Sequence, residues 1–216
     1  MNDKLVLTPQ QLFFLGSVME AKYIDYAYVS ALGIVDQKAK LFESKVKNEL
    51  SAKGVIKENF SGDVVVELKA KQLLTPLFAG EAEITIDIVT SDNQLSVESY
   101  KYHILSNQVT CVYCSDNGFE LSSVSVDDIV DRCNGLIPKG YSGVTSDIEA
   151  GKEFLKTDRA IAIKTSVLDK VSKVINFIDS DGVLYLEDDN KISKQSAEDF
   201  EKRCLSLIRE VTDVIS

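Results

Sequence analysis

EAEITIDIVTSDNQLSVESYKYHILSNQVTCVYCSDNGFELSSVSVDDIVDRCNGLIP, residues 81–138, sets the architecture. Ile84, Ile86 and Ile88 alternate with Glu83, Thr85 and Asp87, the period-2 pattern of a strand covered on one face only. Tyr100, Tyr102 and Ile104 repeat the alternation, and residues 109–115 form a third run rich in β-branched and aromatic side chains. Ser106-Asn107 allows a tight reversal between the second and third strands. Asp116-Asn117-Gly118 supplies an Asn-Gly pair suited to a type I′ hairpin, so Phe119–Ser123 is expected to add a fourth strand. Ser125, with Asp128 three residues on, starts a helix whose stripe is Ile129, Val130, Cys133 and Leu136, and Pro138 stops it. A meander closed by one helix is the expected unit.

The flanks extend that unit. Upstream, Thr8-Pro9-Gln10-Gln11 is a helix entrance with Leu12, Phe13, Leu15, Val18 and Met19 as apolar payload. A tyrosine-rich passage covers residues 23–28. A helix is expected over about 37–53, with Leu41, Val46 and Leu50 on its buried face and Gly54 as its stop. Another is expected to begin near Asp63 and to end or bend near Thr75, before Pro76, with Gly80 releasing the chain into the meander. Downstream, the glycines and serines of residues 139–147, KGYSGVTSD, read as a hinge. Ser146 and Asp147 would cap a helix to about Leu155. Residues 160–189 then read as strands with a hairpin at Asp181-Gly182, and residues 196–215 as a closing helix in which Phe200, Cys204, Leu207, Ile208 and Val211 recur at helical spacing.

Residues 83–137 and 159–215 thus have the same order of elements, which reads as a diverged duplication. The expected class is α+β. It would be a single domain over 1–216 built from two similar halves, 1–138 and 146–216: an antiparallel meander sheet with helices packed on it, a pseudo-twofold repeat, and a winged-helix-like N-terminal helical part suggested by LSAKGVIKEN at 50–59.

The chain has 216 residues, 44% apolar and 27% charged, enough for a real core. No run approaches the roughly 20 apolar residues of a membrane span, and the N-terminal stretch has neither a basic head nor an apolar signal core, so no membrane insertion and a cytoplasmic location are expected. A net charge of −10 repels phosphate backbones, and no basic cluster offsets it, which disfavours nucleic acid as a partner. Cysteines at 111, 114, 133 and 204 are too few and too scattered for a disulfide framework and read as reduced thiols.

Catalytic and metal signals are thin. Cys111-Val-Tyr-Cys114 has the C-x-x-C spacing of a redox or zinc site. It lies on a strand, where positions three apart point to opposite faces, and no second ligand pair exists, so ordinary packing is the expectation. His103, the sole histidine, shares a strand face with Val97, Ser99 and Lys101 and reads as a surface or edge residue. The acidic stretches at 179–182 and 187–190 lack the ligand spacing of a calcium loop, and no glycine-rich phosphate loop is present. No cofactor, no metal and no catalytic residue is therefore expected. The tyrosines at 23, 26 and 28, and Tyr100, Tyr102 and Tyr113 on adjacent strands, supply amphipathic surface that serves either as partner anchor or as core.

In this order of elements the chain resembles the EspG-type substrate chaperones of type VII (ESX) secretion systems. The likeness runs from LTPQQLFFLG at 7–16 through LSAKGVIKEN, GEAEITIDI and SVDDIVDRCNGLIP to INFIDSDGVLYLEDD and the closing helix. It implies a cytosolic, non-enzymatic adaptor that binds the helical hairpin of an export substrate, keeps it soluble and hands it to the secretion ATPase. A Firmicute-type member would serve an LXG or nuclease-type toxin. The resemblance also implies that the substrate is held near the second-to-third strand connection and the C-terminal helix, which points to Asn107, Gln108 and Phe200 beside Tyr100, Tyr102 and Tyr113.

Two other classes fit the same residues. An acidic immunity protein could mask a basic toxin with the −10 charge, and an enzyme would have to use His103 or Cys111. Salt separates the first two: a complex built on apolar burial survives high salt, whereas charge-steered association slows.

Overall fold

The computed structural model describes residues 4–30, 39–91, 96–115, 118–148, 156–167, 170–188 and 191–214. It is a mixed α+β structure in which the chain divides into two compact units, Met1–Gly80 with Thr110–Ser123, and Glu81–Val109 with Val124–Ser216. These bounds cut across the halves read from the sequence.

The first unit opens with β1 (Leu5–Leu7), a strand with no clear signal in so short a run. It pairs antiparallel with β7 (Gly118–Val124), Leu5 opposite Leu121 and Leu7 opposite Phe119, and β7 lies beside β6 (Gln108–Ser115). Residues 116 and 117 of the expected Asn-Gly hairpin lie outside the described residues. Gly118 has φ +120, and a Cβ there would run into the Leu7 carbonyl, so the position demands glycine. Helix α1 (Pro9–Val18) starts with the expected capping box: Gln11 N donates to Thr8 Oγ1, and Thr8 N donates to Gln11 Oε1, both at 3.2 Å. Within the tyrosine-rich passage, Tyr26–Ser30 forms a short helix, α2. Helix α3 (Ala39–Ala52) buries Val46 and Leu50 and ends at Gly54, φ +66; residues 37 and 38 and the side chain of Leu41 lie outside the described residues.

Two expectations for this unit are corrected. No helix begins at Asp63. The β-branched run Val64–Val66 (β3) pairs instead with Ile56–Glu58 (β2), and Asn59 ties the loop between them, its Oδ1 accepting from Ser61 N and Asp63 N. Of the end or bend expected near Thr75, the end does not occur, because helix α4 (Leu68–Ala79) continues through Pro76. Thr110 Oγ1 donates to Leu73 O of this helix at 2.8 Å, one turn before the proline. Leu7, Leu12, Leu15, Leu50, Leu74, Leu77 and Leu121 form the core, closed by the edge of Tyr28 on Phe119, 4.9 Å between centroids.

The second unit is a sheet in the order β5-β4-β9-β10-β11-β12-β8. Its strands are β4 (Ala82–Thr90), β5 (Ser96–Leu105), β8 (Ser146–Ile148), β9 (Arg159–Val167), β10 (Lys170–Ser180), β11 (Val183–Asp188) and β12 (Lys191–Lys194), with helices α5 (Val126–Asn134) and α6 (Ala197–Val214). All pairs are antiparallel. Asp181 and Gly182 form the expected hairpin between β10 and β11, and their φ of +50 and +74 are the two positive values of a type I′ turn. Ser146 begins a strand where a helix was expected, because Ser146–Ile148 finds a partner in Lys194–Ile192; residues 149–155 lie outside the described residues. Ile84 and Ile86 on β4, Ile161 and Ile163 on β9, Phe177 on β10 and Leu184 on β11 are buried beneath Ile129 and Cys133 of α5 and Phe200, Leu207, Ile208 and Val211 of α6. Phe177 and Phe200 meet with ring centroids 4.6 Å apart and planes tilted by 58°. No helix among the described residues is long and apolar enough to cross a membrane.

Candidate partner-binding surface

Register decides what each sheet face of the second unit shows. Ile86 stands opposite Tyr100 and Ile163, and on that face lie the helices: Arg132 of α5 sits 4.2 Å over the Tyr100 ring, and Lys173 of β10 pairs with Glu210 of α6 at 2.6 Å. The odd residues of β4 and β5 point the other way. Across β5, β4, β9 and β10 they form three rows: Lys101–Thr85–Lys164–Val174, Ser99–Asp87–Ala162–Asn176, and Val97–Val89–Ala160–Ile178. Val97 is 62% and Val174 46% exposed, and Lys164 and Asn176 are exposed with them, whereas Thr85 and Ile178 are buried.

A fourth row, His103–Glu83–Ser166, holds the densest charge. Glu83 is its hub: Thr85 Oγ1 donates to Oε1 at 2.9 Å, Lys101 Nζ lies 3.4 Å from the same oxygen, and His103 Nδ1 lies 3.6 Å from Oε2. Beside it, Asp87 accepts from Ser99 Oγ at 2.7 Å and from Lys164 Nζ at 2.6 Å. His103 is 3% exposed, which corrects its reading as a surface residue: its strand-face neighbours are polar, but the carboxylate opposite lets an imidazole sit inside. The order of this row does not suit nucleophilic catalysis. A serine triad places the imidazole between hydroxyl and carboxylate, and here the carboxylate stands between, with Ser166 and His103 two strands apart, roughly 9–10 Å of backbone.

The residues expected at a partner site separate. Asn107 and Gln108 are exposed at the tight turn between β5 and β6, where Ser106 takes φ +51. Tyr100 is half-buried on the helix face, its hydroxyl donating to Glu98 at 3.0 Å, and Tyr113 is half-buried in the first unit. Tyr102 and Phe200 are core residues, 2% and 0% exposed, so neither is a surface anchor; even numbering on β5 and the buried stripe of α6 turn both inward. Val97, Val174, Lys164 and Asn176 lacked any signal beyond strand parity.

Of the other sequence candidates, Cys111 is buried and Cys114 exposed, as opposite faces of β6 require. Asp179 pairs with Arg159 at 2.9 Å and Asp181 forms the hairpin turn; residues 189 and 190 lie outside the described residues, and no group of potential metal ligands occurs among the described ones. A cleft of about 490 Å³ at the start of α6 is lined by Tyr141, Thr145, Ser196 and Asp199, among others. Hydrogen bonds from Ser196 and then Thr145 hold the Asp199 carboxyl below its ordinary pKa, and Ser125 does the same for Asp128 at the start of α5. No family model matches the chain, and comparison with curated proteins gives no match.

Proposed function

We propose that the chain is a non-enzymatic binding protein, a cytoplasmic adaptor of the EspG-type kind that holds a secreted client of a type VII system before export. The observation that carries this reading is the exposed part of the second unit's sheet on the face turned away from α5 and α6. That face sets exposed Val97 and Val174 among Lys164, Asn176 and Ser99, and the neighbouring turn exposes Asn107 and Gln108. A mixed apolar and polar surface of this kind suits an amphipathic helical hairpin, whose apolar stripe aggregates unless covered. Handing the client to the secretion ATPase belongs to the same proposal.

We further propose that residues 83–137 and 159–215 are diverged copies. Both first strands, β4 and β9, are nine residues long and pair at their midpoints, Ile86 opposite Ile163. Both closing helices start with Ser-x-x-Asp boxes, at Ser125/Asp128 and Ser196/Asp199. The winged-helix-like reading of the N-terminal part draws support from α3 being followed by the β2–β3 hairpin.

Co-expression with the products of neighbouring reading frames tests the function. The expected result is a one-to-one complex by light scattering that persists from about 0.1 M to about 1 M salt. A complex whose association collapses at the higher salt would favour the acidic inhibitor, for which the −10 charge speaks. No complex with any of them would overturn the adaptor.

A further inference from the structure

Two cysteines far apart in sequence meet in the second unit. Cys133 on α5 and Cys204 on α6 are 1% and 2% exposed and lie where the two helices pack on each other, near enough for each thiol to feel the other. Beside them Asn134 Nδ2 donates to Glu201 Oε1 at 3.4 Å, an independent tie between the last turn of α5 and the first turns of α6. Each cysteine stands eight residues after the serine that caps its helix, so the proposed copies bring equivalent positions together. Packing alone would be served by alanine or valine at either place. We propose that Cys133 and Cys204 are an oxidisable pair that a hydroperoxide converts to a disulfide fastening α5 to α6.

The chemistry closes on itself. One thiol, as thiolate, attacks a peroxide oxygen, breaking the O–O bond and leaving a sulfenic acid and water (or an alcohol). The second thiol attacks the sulfenic sulfur, the S–S bond forms, and the hydroxyl leaves as water with the remaining proton. The two sulfurs lose two electrons between them and the peroxide gains two. While the helices are packed, the neighbouring Cys133 thiol and then burial push the Cys204 thiol up, so thiolate is scarce and the first step is slow. Motions that part α5 from α6 should speed it. The bond, once made, restrains the unfolded chain across a long loop.

Peroxide treatment of the folded Cys114→Ser variant, which removes the exposed thiol, tests the pair. Digestion with trypsin without reductant should yield residues 133–139 joined to 204–209, since Arg132 and Arg203 precede the two cysteines. The Tm should rise by several degrees and return on adding dithiothreitol. Sulfinic or sulfonic acid at either cysteine without the joined peptide would overturn the proposal. So would a joined peptide that forms in urea but not in the folded protein. Adding Cys133→Ser should abolish both the peptide and the Tm shift; should that variant not fold, the peptide map of Cys114→Ser alone decides.

Discussion

Helices α5 and α6 begin alike and end differently. Each opens on a serine whose hydroxyl accepts from the aspartate amide three residues on, and each buries completely the residue four after that serine, Ile129 in one and Phe200 in the other. Yet α5 stops after nine residues and α6 runs for eighteen. The stop is chemical: Gly135 closes the last turn of α5, Leu136 N and Ile137 N fall back on carbonyls three residues behind them, and Pro138 disfavours helix at Ile137. Between 197 and 214 there is neither glycine nor proline. The longer helix therefore adds Leu207, Ile208 and Val211 to the core, whereas α5 contributes Ile129 and Cys133, with Leu136 just past its end. Caps decide where a helix starts, and the distance to the next glycine or proline decides how much core it supplies.

The sharpest way to break this comparison is at the matched buried positions. Phe200→Ala removes a ring packed against Phe177 and should cost about 4 kcal/mol in urea unfolding, against about 3 kcal/mol for Ile129→Ala. Equal losses would mean that the extra length of α6 does not hold its first turn in place.

The strand pairs differ too. On the face away from the helices β4 carries Glu83, hub of the Thr85, Lys101 and His103 contacts, where β9 carries Ala160 and Ala162. Glu83→Ala leaves a buried imidazole without its carboxylate and should cost roughly 2 kcal/mol, while Ala162→Ser should stay within roughly 0.5 kcal/mol. Similar values for both, by denaturant titration, would make the Glu83 cluster incidental.

Caps come next. Ser125→Ala and Ser196→Ala should each lower stability by about 1 kcal/mol. The smallest effect is the acid limb. Asp128 and Asp199 both have folded pKa values held below the unfolded ones, so their stabilisation is fully present above the ordinary carboxylate value and drains away as pH falls through the folded values, in the region below about pH 4. Asp199→Asn, which removes the titrating carboxylate that Ser196 and Thr145 both stabilise, should flatten the Tm profile there more than Asp128→Asn.

Local chemistry made much of this readable. Thr8-Pro9-Gln10-Gln11, Ser125 with Asp128, and Asp181-Gly182 each commit the backbone within four residues, and each appears where its chemistry requires. Period-2 alternation likewise told which side of β4 is buried. The failures share a cause, which is dependence on a distant partner. Ser146–Ile148 resembles a helix start until β12 offers an edge, and Val64–Val66 needs Ile56–Glu58 beside it. The Glu83 cluster needed the register of β5 on β4, which no turn motif in residues 91–95 specifies. The meeting of Cys133 with Cys204 needed two helices placed on one sheet.

The most direct test of the adaptor reading is hydrogen–deuterium exchange of the chain alone and with its co-purified client. Added protection over residues 96–108 and 159–167, carrying exposed Val97 and Lys164 and the Asn107-Gln108 turn, is the predicted result. Protection confined to the outer surface of α6 around Arg209 and Asp213, with β5 and β9 unchanged, would contradict it.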